Sequence, residues 1–298
     1  MLYGNESISH YTPGNISIWM SMAFQAGILN IGGFMAVHRF VSHVTGFATF
    51  FGYEINQTDK SHAFGMLAVP LFFLLGCMLS AQLVDIRLKL HKRPKYYITF
   101  GLIFFLLSIV LGLGVFGYFG KFGEPLELSR DYTLLILLCL VCGIQNGTIT
   151  TVSKSVIRTT HLTGVTTDLG IGIIRFLNRR KLNSNFGNES EANLMRVGII
   201  FFFGLGSVVG GYAFSQLGYA GFFIPVLTSG LLFFSMLYFQ IFKYKPTAII
   251  LPSTLCVPQN IAFRSALKNR LKALNFLSKC LDRSKLIENK KLTKWIKE

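Results

Sequence analysis

Two histidines in matching phrases, each beside an arginine, are where this chain could do chemistry. His43 opens HVTG (43–46) and His161 opens HLTG (161–164); Arg39 precedes the first by four residues and Arg158 the second by three. A histidine titrates near neutral pH, so His43 and His161 are candidate proton carriers. Thr45 and Thr163 follow them, and Asp168 lies four residues past Gly164. Lys154, Arg158 and His161 fall at i, i+4 and i+7, one face of a helix. Asn30 and Asn146 stand upstream, each next to glycine or one residue from it. All of these border long apolar stretches, where an ionisable group is costly and is a functional candidate by default. Structural roles compete with that reading. Either histidine can simply bond a neighbouring carbonyl, Asp168 can pair with Arg158 or Lys154, and the asparagines can satisfy backbone groups of a broken helix.

The surrounding elements are membrane helices. The chain of 298 residues is 51% hydrophobic and 14% charged, against about 25% charged in a soluble domain. Its apolar residues gather in runs near 17–37, 62–84, 97–119, 132–152, 195–214 and 219–242, each about the 20 residues a bilayer-crossing helix needs. Residues 1–16 hold no Lys or Arg, so no signal-peptide n-region is expected. No period-two alternation supports a β-barrel.

The net charge of +16 is distributed by side of the membrane. Five Lys/Arg lie in 85–97, five in 175–196 and thirteen from Lys243 onward, which is 23 of 29. The loops near 38–60 and 120–131 hold two each, against five acids. The positive-inside rule places the three rich segments in the cytoplasm, giving six spans with both termini inside. Topology thus accounts for the charge, and nucleic acid is not an expected partner. In the tail, Phe263, Leu267, Leu271, Leu274, Leu277 and Leu281 recur at three- and four-residue spacing beside Arg264, Lys268 and Arg270. That is a basic amphipathic helix suited to anionic lipid. Pro246, Pro252 and Pro258 make the stretch before it a linker.

The HxTG phrase belongs to a longer repeat. Residues 26–49, AGILNIGGFMAVHRFVSHVTGFAT, align with 142–167, CGIQNGTITTVSKSVIRTTHLTGVTT. Gly27 and Asn30 match Gly143 and Asn146, and His43, Thr45, Gly46 and Thr49 match His161, Thr163, Gly164 and Thr167. Downstream, LLGCMLSA (74–81) matches GLGSVVGG (204–211), so Gly76 and Ser80 correspond to Gly206 and Gly210. Both are small-xxx-small faces, which let membrane helices approach closely. Three spans per half is an odd number, so the second half enters the membrane the opposite way up. The expected fold is an all-α integral membrane protein of two inverted three-helix repeats, an architecture common among secondary transporters. Its parts are an N-terminal segment 1–16, repeat 1 over 17–119, an external loop 120–131, repeat 2 over 132–242 and a cytoplasmic tail 243–298. NIGG (30–33) and NG (146–147) are read as interruptions of spans one and four, making broken or re-entrant elements. Such backbone is tolerated only inside protein or beside a water-filled cavity, and half-helix N-termini there favour anions.

The first copy resembles the opening signature of the YoaK family of uncharacterised bacterial inner-membrane proteins, AGxxDaxGF…FvShmTGN. The second resembles that family's GxQNa…TThMTGnlTdlg. The resemblance covers about 20–240 and implies a multi-span protein of the bacterial inner membrane, with no established substrate or reaction. This chain departs from it at Asn30, where Asp is usual, and at Phe47 and Val165, where Asn follows TG.

Enzyme signatures are missing. The chain lacks a rhomboid-type GxSx with catalytic His, HExxH, paired catalytic Asp motifs and a P-loop, so it is not expected to be an enzyme. Cys139 and Cys142 read as small hydrophobes within a span, and no metal or cofactor is called for. The expected function is a secondary transporter or permease for a small polar solute, working by alternating access around Asn30, His43, Thr45, Asn146, Arg158, His161, Thr163 and Asp168. The alternative is a non-transporting scaffold or stress-related factor acting through its tail. Six short spans often dimerise to enclose a pathway, so a homo-oligomer is compatible with the chain.

Overall fold

The computed structural model describes residues 13–56, 60–124, 129–152, 162–178 and 187–243. Lys154, Arg158, His161 and the tail lie outside the described residues. Within them every regular element is helical: α1 (Pro13–Val37), α2 (Val44–Glu54), α3 (Ser61–Leu83), α4 (Asp85–Lys89), α5 (Tyr96–Val115), α6 (Ser129–Val152), α7 (Leu162–Leu177), α8 (Gly187–Leu217) and α9 (Phe223–Leu237). A 3₁₀ turn, Gly218–Phe222, joins α8 to α9, and a π turn, Tyr238–Lys243, follows α9.

Among the described residues five stretches are long and apolar enough to cross a membrane: Pro13–Val37, His62–Lys89, Tyr96–Val115, Arg130–Thr151 and Glu189–Ile241. The last covers 53 residues and takes in both α8 and α9.

The helices pair across the two halves of the chain rather than within them. α1 lies along α8, α3 along α6, and α5 against α9; α2 rests on α3 and α7 on α8. Glycine makes the two long pairings possible. A methyl on Gly27 would overlap the Phe203 carbonyl, and one on Gly143 the Phe73 carbonyl. In return, one on Gly206 would overlap the Phe24 carbonyl and one on Gly76 the Leu140 carbonyl. Lipid is as apolar as any side chain, so such helices gain by bringing backbones together and not by leaving solvent. A side-chain donor tightens each crossing: Ser207 Oγ donates to Gly27 O at 3.4 Å, and Cys77 Sγ to Gly143 O at 3.3 Å. When LLGCMLSA (74–81) is aligned with GLGSVVGG (204–211), Ser207 stands opposite Cys77.

One turn further along, the bulk changes sides. Gly210 faces Ile31 on one interface, whereas Ser80 faces Gly147 at the matching point of the other. The third pairing is reciprocal: Phe233 fills the space over Gly101, Phe104 fills that over Gly230, and the two rings stack with centroids 5.9 Å apart.

The interruption expected at Asn30–Gly33 lies further on, at His38–His43. α1 runs helically through NIGG, and α6 through Asn146 and Gly147 to Val152. Glycine inside a helix costs only about 1 kcal/mol, and here packing takes up the space. Phe214 sits where a Gly32 side chain would be, and Val41 where a Gly33 side chain would be. α1 ends at His38, which adopts a left-handed φ of 56° as a C-terminal cap.

Gly143→Ala should destabilise the fold by roughly 1–3 kcal/mol, since a methyl there overpacks against backbone that cannot yield. Gly204→Ala, where the space is open, should be neutral or stabilise by up to about 1 kcal/mol. Thermal unfolding of the two variants in detergent checks the contrast.

Candidate functional site

Past α1 the chain reverses. Val41 packs on Gly33, and Ser42 Oγ donates to Asn30 Oδ1 at 2.9 Å, so residues 38–43 run back beside the helix they have just left. On the other side, Cys139 Sγ donates to the Val41 carbonyl at 3.2 Å. α2 then returns outward, and its end is tied to the start of the arm. Arg39 Nη2 donates to Glu54 Oε1 at 3.1 Å, and the guanidinium lies 4.0 Å from the Phe50 ring centroid. Both charged side chains are mostly buried, where an ion pair holds register better than it adds stability. Residues 38–54 thus form a hairpin of one extended and one helical arm, which the Arg39–Glu54 pair ties together at its base. Phe47 anchors its helical arm in the core.

Deeper in the bundle, three helices share a polar chain. Thr228 Oγ1 of α9 donates to Gln25 Oε1 of α1 at 2.9 Å. Gln25 Nε2 donates to Gln145 Oε1 of α6 at 3.2 Å, and Gln145 Nε2 to the Met22 carbonyl at 2.7 Å. Gln25 is 1% exposed and Gln145 0%. Gln25 is the central residue of the 25 in α1, about 18 Å from either end at 1.5 Å per residue. Each amide retains one N–H and one acceptor lone pair beyond these bonds. Alongside, Asn146 is 8% exposed and its Oδ1 is buried with no hydrogen-bond partner among the described residues. Ser80 and Thr148 hydroxyls bond at 2.8 Å across the α3–α6 interface, both buried.

The residues expected from sequence divide between these two places and the surface. Asn30 is buried at the hairpin and Asn146 beside the glutamines. His43 and Thr45 are exposed at the hairpin tip, and Thr163 and Asp168 are exposed on α7. The two short helices repeat one device: Thr49 Oγ1 bonds Thr45 O at 3.1 Å, and Thr167 Oγ1 bonds Thr163 O at 2.9 Å. Arg158 and His161 lie outside the described residues. Gly76, Ser80, Gly206 and Gly210 all lie at interfaces between helices of opposite halves. Sequence reading passed over Gln25, Gln145, Thr228 and the Glu54 partner of Arg39. The signal for the glutamines was present, because an amide inside an apolar run is itself anomalous. No cluster of three or more metal-ligating side chains forms among the described residues.

An all-helical bundle with several membrane-length apolar helices and an uncharged polar centre defines the class. Residues 18–236 match the model of a family described as a protein of unknown function (DUF1275), and the chain belongs to that family. No curated protein and no solved structure matches it.

A double-mutant cycle with Gln25→Leu and Gln145→Leu should give a coupling near 0.6 kcal/mol and no more than about 1.7, the range of hydrogen bonds between membrane helices. Unfolding of the two single variants and the double variant measures it.

Proposed function

We propose that this chain is a secondary transporter or permease for a small polar solute. The observation that carries the reading is the Gln25–Gln145–Thr228 chain, buried where helices of both halves meet. Buried amides with spare hydrogen-bonding capacity are costly in hydrocarbon unless they hold something. The reciprocal glycine crossings support an inverted repeat, in which α1, α3 and α5 correspond to α6, α8 and α9. On that reading the 53-residue stretch crosses twice, at α8 and at α9, and the spans number six. The charge distribution puts both termini in the cytoplasm, and the likeness to the YoaK signatures supports a bacterial inner-membrane location. The solute site lies at the midplane, between Gln25, Gln145, Asn146 and Thr228. Alternating access is a rocking of the α1–α8 pair against the α3–α6 pair, each moving as a unit held by its glycine contacts. The hairpin at 38–54 acts as a gate, with Asp168 and the histidines as proton-coupling groups.

Uptake of a panel of small solutes into liposomes, with and without a pH gradient, tests this. Gln145→Leu should abolish uptake while the protein stays folded. Asp168→Asn and His161→Ala should remove its dependence on the gradient. Absence of uptake for every solute by folded, oriented protein would end the transporter reading and favour a scaffold acting through the tail.

A further inference from the structure

The tip of the first hairpin lies at membrane depth and is not covered. Two helices give the depth independently. Ser42 bonds Asn30, about two turns before the end of α1 at Val37 and so about 10 Å inside it. Val41 bonds Cys139, near the midpoint of α6 and about 15–20 Å from either end of that helix. A hydrocarbon layer is about 30 Å thick, so both contacts fall within it. Val41 and Ser42 are buried, but His43, Val44 and Thr45 are exposed on the chain. Here the backbone is leaving an extended arm and starting a helix, and the first amides of α2 have no acceptor within it. Irregular backbone of this kind does not face lipid; it is covered by protein or lines water.

The residues leading to the tip favour water. Thr45, Ala48, Thr49 and Gly52 are all exposed along one side of α2, and Gly52 has open space over it. Small or hydroxyl-bearing side chains line that side from Thr45 to Gly52, with Tyr53 exposed beside its outer end and the Phe40 ring 5.1 Å from that of His43 at the tip. The lipid-facing side of neighbouring α3 is different, with Leu67, Leu71, Leu74 and Met78 exposed in succession. We infer that the chain carries a water-filled vestibule along α2, open at the hairpin base and ending at His43 inside the membrane. It admits small hydrophilic solutes from the side opposite the basic loops. The constraint holds whether or not the chain transports anything, so the inference does not depend on the proposed function.

Cysteine accessibility of the full-length protein in right-side-out vesicles tests it, with labelling by a charged, impermeant methanethiosulfonate read by intact mass above the wild-type background. A thiol reacts as its thiolate, which forms in water and not in lipid, so His43→Cys and Thr49→Cys should label at least about tenfold faster than Leu71→Cys. Labelling of both as slow as Leu71→Cys would overturn the vestibule. In that event an oxidative crosslink between copies at either position would show that a second copy covers the tip. Thr49 is exposed and bonded only to its own helix, so its variant keeps the test decisive should His43→Cys fail to fold.

Discussion

Backbone contact between helices that are far apart in sequence holds this bundle together. Where Gly27 meets Phe203 and Gly143 meets Phe73, nothing larger than a hydrogen fits between the chains. Everything else is arranged around those two crossings. They place α1 beside α8 and α3 beside α6, which leaves α5 and α9 to close the bundle through interlocked phenylalanines. They also set how far the glutamines of α1 and α6 can reach toward one another. In water such contacts would be helped by the expulsion of solvent. In lipid they depend on fit alone, so the smallest residues stand at the tightest points.

Most polar side chains find a partner close by, on the surface and inside the bundle, with the buried Tyr96 hydroxyl an exception among the described residues. On the surface Thr49 and Thr167 turn their hydroxyls back onto their own helices, and buried Ser229 does the same to Pro225. Ser42 caps Asn30 and Ser80 meets Thr148. Against that background Asn146 and the spare capacity of Gln25 and Gln145 stand out. The glutamines also break the likeness of the two halves, because Val141 and Leu29 occupy the places corresponding to Gln25 and Gln145. Thr99 and Thr228 do correspond: each hydroxyl bonds the carbonyl three residues earlier, but Thr228 alone also reaches an amide. The polar centre is therefore unequal between the halves, built from Gln25 of α1, Gln145 of α6 and Thr228 of α9.

Much of this was legible in the sequence because apolar runs and small residues recur at regular spacing. Apolar runs gave most of the long helices to within about five residues, although α8 begins eight residues before its run, and the match of Gly27 with Gly143 and of Gly76 with Gly206 picked out close backbone contacts. What spacing does not reveal is the partner. Each small face was visible, yet which helix it met depended on the exchange between halves. Glycine was also misjudged as a breaker in NIGG. Its local propensity is against helix, but Phe214 and Val41, distant or downstream in the chain, decide its conformation. The fold-back of 38–43 left no periodic trace, because an extended arm of six residues has too few positions to show one.

The exchange of helices has a consequence for how the chain is made. Gly143 follows Cys77 by 66 residues, whereas Ser207 follows Gly27 by 180. At about 5–20 residues per second, the α3–α6 contact can close roughly 3–13 s after Cys77 is synthesised, but α1 waits roughly 9–36 s for α8. Through that interval the glycine face of α1 is unmatched, although Gln145 follows Gln25 by only 120 residues and arrives earlier. The last half of translation thus completes a bundle already begun from its middle.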